Sequence, residues 1–159
     1  MAQEGIRFVE MTDADFPGLE NLVNDFGAES KLMKRYACEI DWEGLLARLD
    51  QLWDAGMLFG ELAIEGYAEV TIGALIYTVT PNMFTSTPTA TELMWFVDSE
   101  YRDTTVGARL FKNYEKSAAA NGAEHLSMVH LETSMPERLK TFYEKSGYEA
   151  VETHYFKLL

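Results

Sequence analysis

The chain has 159 residues, 47% of them hydrophobic and 25% charged, with 26 acids against 13 bases and a formal net charge of −13. That size and balance suit one globular domain with a full core. The acidity argues against direct nucleic-acid binding, which needs clustered Lys and Arg, and fits either a cationic acceptor or plain solubility.

No run approaches eighteen apolar residues, so no membrane span is expected. Met1–Gly5 lacks the basic-then-apolar order of a secretory signal. One cysteine, Cys38, excludes an internal disulfide and a cysteine zinc site. His125, His130 and His154 are too dispersed for another metal cage, so no metal is expected. A reducing cytoplasm fits this usage. Cys38 reads as a small buried hydrophobe rather than a nucleophile.

In chain order, Ile6–Met11 alternates and predicts an opening strand. Thr12 or Asp13 then caps a helix that carries Phe16, Leu19, Val23 and Phe26 on one face, with Pro17 in its first turn and Gly27 ending it. Residues 29–40 hint at a short helix through Leu32, Met33, Tyr36 and Ile40. Trp42, Leu45, Leu46, Leu49 and Trp53 mark a clearer one over 42–55, ended by Gly56. Met57–Ile64 and Val70–Val79 read as strands joined by a hairpin through Glu65-Gly66-Tyr67-Ala68. Thr80–Pro88 is a loop whose Met83 and Phe84 either cover a site or fold back on the core.

Thr89–Val97 predicts the central strand. It leads through Asp98-Ser99-Glu100 into Tyr101-Arg102-Asp103-Thr104-Thr105-Val106-Gly107-Ala108. Val106, Leu110, Tyr114 and Ala118 then recur every four residues, a helical stripe that stops at Asn121-Gly122. Strand, corner and helix in this order leave the backbone N–H groups of the first helical turn without internal partners, at the positive end of the dipole. That is an anion site where the backbone can be approached, and Gly107 and Ala108 allow the approach. His125–Leu131 reads as another strand, Ser134-x-x-Glu137 as a capping box for a helix closed by Gly147, and Tyr148–Leu158 as a last strand or hairpin. The order β-α-α-β-β-β-α-β-α-β(-β) is one mixed-sheet α/β domain over residues 1–159.

Arg102-x-x-Thr105-Val106-Gly107-Ala108 resembles the Arg/Gln-x-x-Gly-x-Gly/Ala signature of the Gcn5-related N-acetyltransferases (GNAT), and Phe142-Tyr143-Glu144-Lys145-Ser146-Gly147-Tyr148 is similar to their Phe/Leu-Tyr-Glu-Lys-x-Gly-Phe. The closing Glu152-Thr153-His154-Tyr155 resembles small GNAT-like proteins carried by phages. The resemblance implies a mixed, mostly antiparallel sheet and acetyl-CoA as co-substrate. It places the pyrophosphate on Arg102, Asp103, Thr104, Thr105, Val106, Gly107 and Ala108, and the thioester carbonyl on a backbone N–H near Phe96 or Val97. It also implies Tyr143 as the acid for the departing thiolate, and a base in Glu92, with His130 in reserve. By position, Tyr36, Glu39, Asp41 and Trp42 become candidates for the acceptor pocket, with core packing the better reading of Trp42.

The sequence departs from the family pattern at three places. Asp103 stands where Gly is usual and would be repelled by phosphate unless Asp103 or Thr104 turns inward as the helix cap. Thr105 replaces the first signature Gly, and its hydroxyl can donate to a phosphate oxygen. Pro136 replaces an Asn that contacts the pantetheine arm, a contact that Ser134 could take over. The implied function is transfer of an acetyl group to an amine acceptor, a small molecule or a protein. A homodimer is left open. The alternative is a GNAT-fold binding or inhibitory module whose acidic surface blocks a basic partner.

Overall fold

In a computed structural model, residues 5–67 and 69–159 are described; residues 1–4 and Ala68, the last of the hairpin residues singled out above, lie outside that set. Five strands form one sheet in the order β1-β2-β3-β4-β5. They are β1 (Ile6–Glu10), β2 (Leu58–Glu65), β3 (Val70–Pro81), β4 (Pro88–Val97) and β5 (His125–Ser127). The first three pairings are antiparallel and β4–β5 is parallel. Helices cover both faces, so the alternation along each strand feeds two cores.

On one face, α1 (Glu20–Glu29) and α3 (Trp42–Asp54), with the 3₁₀ turn Asp13–Leu19, bury Phe16, Leu19, Leu22 and Leu49 against Leu62, Ile76, Met94 and Phe96. On the other, α4 (Val106–Ala120) sets its stripe of Val106, Leu110, Tyr114 and Ala118 on Ala63, Leu75, Tyr77 and Ala90, and α5 (Pro136–Lys145) adds Tyr143. Thr12 is the N-cap of the 3₁₀ turn, and its N–H donates to Asp15 Oδ2 at 2.7 Å.

Several expectations change. Gly27 does not end α1; it is buried inside it, packed so closely that a Cβ there would stand 2.5 Å from Ile40 Cδ1. The helix hinted at in 29–40 shrinks to α2, Leu32–Tyr36, and Cys38 beyond it is exposed. The 80–88 loop narrows to a tight turn in which Asn82 Oδ1 accepts from the N–H of Phe84 (2.9 Å) and Thr85 (3.2 Å). Met83 and Phe84 neither cover a site nor return to the core, being 89% and 92% exposed at the hairpin tip.

Ser134 does not cap α5. Met135 holds the N-cap position in the left-handed region (φ 48), and the Ser134 N–H donates to Leu131 O at 2.9 Å. The expected strand 125–131 ends at Ser127, and 148–159 forms none. With three residues in β5, that side of the sheet offers a last strand almost no ladder to join. The tail instead packs by rings, Phe156 edge-on to Tyr36 at 4.8 Å.

Candidate active site

The parallel pairing of β4 with β5 covers only Thr89–Thr91 and His125–Ser127, after which β4 runs on alone to Val97. Pairing with β3 slips at Ile76/Tyr77, so that Leu93 bulges out, 47% exposed. Before the bulge, Glu92 shares the α4/α5 face with Ala90; after it, Met94 and Phe96 turn to the α1/α3 face and Trp95 and Val97 to the α4/α5 face. A bulge is thus what sets the register that decides where Glu92 points.

Glu92 is 9% exposed and lies in the gap where the two strands part. Its Oε2 accepts from the Val129 N–H at 3.1 Å. Burial pushes its carboxyl up to about 7, and bonds from the N–H groups of Val129 and Trp95 hold it from going further. Tyr143 Oη donates to the carbonyl of the same Val129 at 2.8 Å. Burial raises the Tyr143 phenol, with the Glu92 carboxylate adding to the rise. His130, off the strand, pairs with Glu132 at 3.5 Å.

A cavity of about 210 Å³ opens beyond this gap, between the end of β4, the first turn of α4 and α5. Of the residues expected to hold a coenzyme, Phe96, Val97, Arg102, Thr104, Gly107 and Ala108 line it. Val106 does not: it is 1% exposed and belongs to the core stripe. Asp103 and Thr105 lie outside the lining, exposed. Thr104 is the residue that turns inward, its Oγ1 donating to Tyr101 O and accepting from the Val106 N–H at 3.2 Å. Asp103 turns outward, its Oδ1 3.8 Å from Arg138 Nη1.

Arg102 spans the cavity. Its Nε donates to Val97 O at 2.9 Å, its Nη2 meets Glu29 Oε2 at 2.5 Å, and its guanidinium lies 4.9 Å from the centre of the Phe96 ring. Thr133 Oγ1 donates to Ser30 O at 2.6 Å, so the end of α1 is tied to the loop before α5 as well. Because the Asp98 N–H pairs with Ile72 O across β3, the two-residue alternation turns the N–H of Phe96 toward β3 and that of Val97 toward the gap.

The lining also holds residues that sequence reasoning missed: Trp95, Arg138 and Glu29. Arg138 sits two positions after Pro136, and nothing in the sequence pattern points it at the signature loop. Trp95 packs against Phe111 and Phe142 (5.6 Å each), and its buried Nε1 has no partner among the described residues. That orphan donor, and the position of Gly107, fit a ligand with acceptor groups. A Cβ at Gly107 would meet Trp95 and Val97 at 3.7 Å, so a longer side chain there would project into the cavity. A second cavity, about 410 Å³, lies on the α1/α3 side and shares Phe26 with the first. Glu39 and Asp41 line it, whereas Tyr36 and Trp42 do not. Among the described residues no cluster of His, Cys, Asp and Glu could hold a metal, and no helix is long and apolar enough to cross a membrane.

No curated protein matches the chain by sequence. By fold it is similar to an aminoglycoside acetyltransferase from an uncultured soil metagenomic sample, solved with trehalose (TM-score 0.75, 17% identity, 99% of this chain and 98% of that one). It is similar to a ribosomal-protein-alanine N-acetyltransferase of Brucella melitensis biovar Abortus (TM-score 0.70, 14% identity, 97% and 99%). An aminoglycoside N-acetyltransferase solved in complex with CoA gives TM-score 0.71 at 14% identity, over 100% and 99% of the two chains. At such identities these likenesses speak for the fold. The sequence profile of the acetyltransferase (GNAT) family matches residues 17–148, which contain both cavities' β4 wall, the Arg102–Ala108 loop and Tyr143. The chain belongs to the acetyltransferase (GNAT) family.

Proposed function

We propose that the protein moves an acetyl group from acetyl-CoA to an amine. The observation that carries this reading is the first turn of α4, where Gly107 and Ala108 line a cavity and leave the helix N-terminus open to an anion. Acetyl-CoA supplies the activated acetyl group. Arg102, Gly107 and Ala108 hold its phosphates, with Thr104 fixing the turn, and the Val97 N–H and Trp95 Nε1 offer donors further along β4. The N–C bond forms as the C–S bond breaks; the amine gives up a proton and the sulfur gains one.

The pair joined through Val129 serves those two protons. Glu92, its carboxyl near 7, exists in both forms at neutral pH and takes the amine's proton through solvent. Tyr143 keeps its proton at Oη until sulfur needs it, and burial that raises its phenol keeps it neutral until then. Neither lines either of the two cavities. Tyr143 therefore reaches sulfur only by a movement of its ring that breaks the bond to Val129.

The test is ligand-induced stabilisation. Acetyl-CoA at a hundredfold excess over its dissociation constant should raise the unfolding free energy by ~2.7 kcal/mol. A thermal midpoint that does not move at millimolar acetyl-CoA would remove the reading. The acidic binding module remains the outcome if acetyl-CoA binds and no amine is acetylated.

A further inference from the structure

The second cavity differs in chemistry from the first. Its walls are hydrocarbon and thioether: Leu19, Val23, Met33, Leu45, Ile76 and Met94 come from both sides of the layer between sheet and helices. Charge enters only at residues 39–48, from Glu39, Asp41 and Arg48. Asp41 is committed twice, its Oδ1 accepting from the Gly44 N–H at 3.0 Å as the cap of α3 and its Oδ2 lying 3.8 Å from Arg48. Glu39 is exposed and has no charged partner among the described residues.

We infer that this cavity takes the apolar body of a small primary monoamine, alkyl or arylalkyl, and that Glu39 draws in its ammonium form. The inference rests on the acetyl-transfer reading above and names its acceptor. A polyhydroxylated polycation of the aminoglycoside kind would leave hydroxyls and ammonium groups against hydrocarbon with nothing to bond, which is costly for every group. A monoamine has a single polar end and leaves none. The cavity's size is in the range of pockets that bury small ligands. Its apolar walls also favour the neutral amine, the form that can attack.

Position agrees with chemistry. Leu93 and Met94 line the second cavity, Trp95, Phe96 and Val97 the first, so consecutive residues of β4 carry the amine's body to the acetyl donor's side. The formal charge of −13 raises the local concentration of a cationic acceptor before it binds.

Cys38, the chain's single cysteine, is exposed and lines this cavity, which gives a readout independent of turnover. A thiol-specific disulfide reagent is reacted with the intact protein and desulfo-CoA, which has no thiol of its own, in the presence of octylamine, phenethylamine, spermidine or kanamycin; acetylation of each amine by acetyl-CoA is followed separately. Octylamine and phenethylamine should slow the reaction of Cys38 severalfold and be acetylated, while spermidine and kanamycin should do neither. Protection or acetylation by kanamycin or spermidine, with none by the two monoamines, overturns the inference. So does acetylation of a peptide N-terminus when neither monoamine protects. Protection by the monoamines without acetylation upholds the cavity's chemistry and removes the transfer reading instead. Leu93→Asp, at the exposed bulge, should abolish protection; if it fails to fold, Met33→Lys serves the same purpose, and unchanged protection in the folded variant refutes the site. Glu39→Gln should raise KM for the monoamine severalfold at low salt, leave kcat alone, and lose its effect at high salt.

Discussion

Glu92 and Tyr143 meet at the two ends of one residue: the Val129 N–H donates to Glu92 Oε2 at 3.1 Å, and the Val129 carbonyl accepts from Tyr143 Oη at 2.8 Å. A carboxylate from β4 and a phenol from α5 thus share one peptide segment in the gap where β4 and β5 part. The shared residue couples the position of each group to the other.

Tyr143→Phe separates chemistry from support. The ring keeps its packing against Trp95 and Phe111, while the Val129 carbonyl loses its donor. Unfolding should become easier by about 1 kcal/mol, the usual worth of one hydrogen bond. With the acid gone, kcat should fall ~10²–10⁴-fold while the affinity for acetyl-CoA holds. Full turnover in a slightly destabilised variant would make the hydroxyl a strut for the 128–131 segment and nothing more.

Glu92 should show in the pH dependence of stability. Its carboxyl is raised from 4.5 to about 7 by burial. Between those values the folded protein binds more protons than the unfolded chain, so stability is fully present at low pH and is lost as pH rises through 7. At ~1.36 kcal/mol per pH unit the loss amounts to about 3 kcal/mol. Urea midpoints at about pH 5 and about pH 8 measure it, and Glu92→Gln, which still accepts from Val129, should flatten this component. The same carboxyl acting as base makes kcat/KM rise with an apparent pKa near 7; a profile unchanged in Glu92→Gln assigns the base elsewhere.

Gly107 tests the anion site. A Cβ there makes only ordinary contacts at 3.7 Å, so Gly107→Ala should fold and bind acetyl-CoA much as the parent does. Gly107→Glu adds length and negative charge at the helix N-terminus, and should abolish the acetyl-CoA thermal shift with the apo midpoint nearly unchanged. Normal binding by Gly107→Glu would move the phosphates to another part of the molecule.

Asp103 and Arg138 set the charge beside the same turn. Thr104 Oγ1, not Asp103, accepts from the Val106 N–H, so removing the Asp103 carboxylate leaves that bond in place. Asp103→Asn should tighten acetyl-CoA binding severalfold, and Arg138→Ala should weaken it, both effects shrinking with added salt. Isothermal titration at two salt concentrations distinguishes this from a purely structural ion pair, for which both substitutions would leave affinity unchanged.

The elements were legible where a single periodicity dominates. The four-residue stripe of Val106, Leu110, Tyr114 and Ala118 marks α4 because each of them meets the sheet, and the near-continuous apolar runs of β2 and β3 go with a sheet covered on both faces. Local chemistry also located the corner at Arg102–Ala108, where polar residues follow an apolar strand and Gly107 permits a close approach to the backbone.

Distant contacts decided the rest. Gly27 reads as a helix stop from its neighbours in sequence, yet α1 runs through it to Glu29, and Ile40, thirteen residues away, packs into the space its missing Cβ leaves. Ser134-x-x-Glu137 spells a cap that Met135 denies by entering the left-handed region, with Ser134 held to Leu131 instead. The face of Glu92 depends on a bulge created by pairing with β3, and Arg138 reaches Asp103 only because α5 lies across the α4 turn. Sequence periodicity reports which residues seek burial, and it does so one element at a time. Register, close approach and charge pairing arise between elements, so the arrangement of these side chains was set by packing.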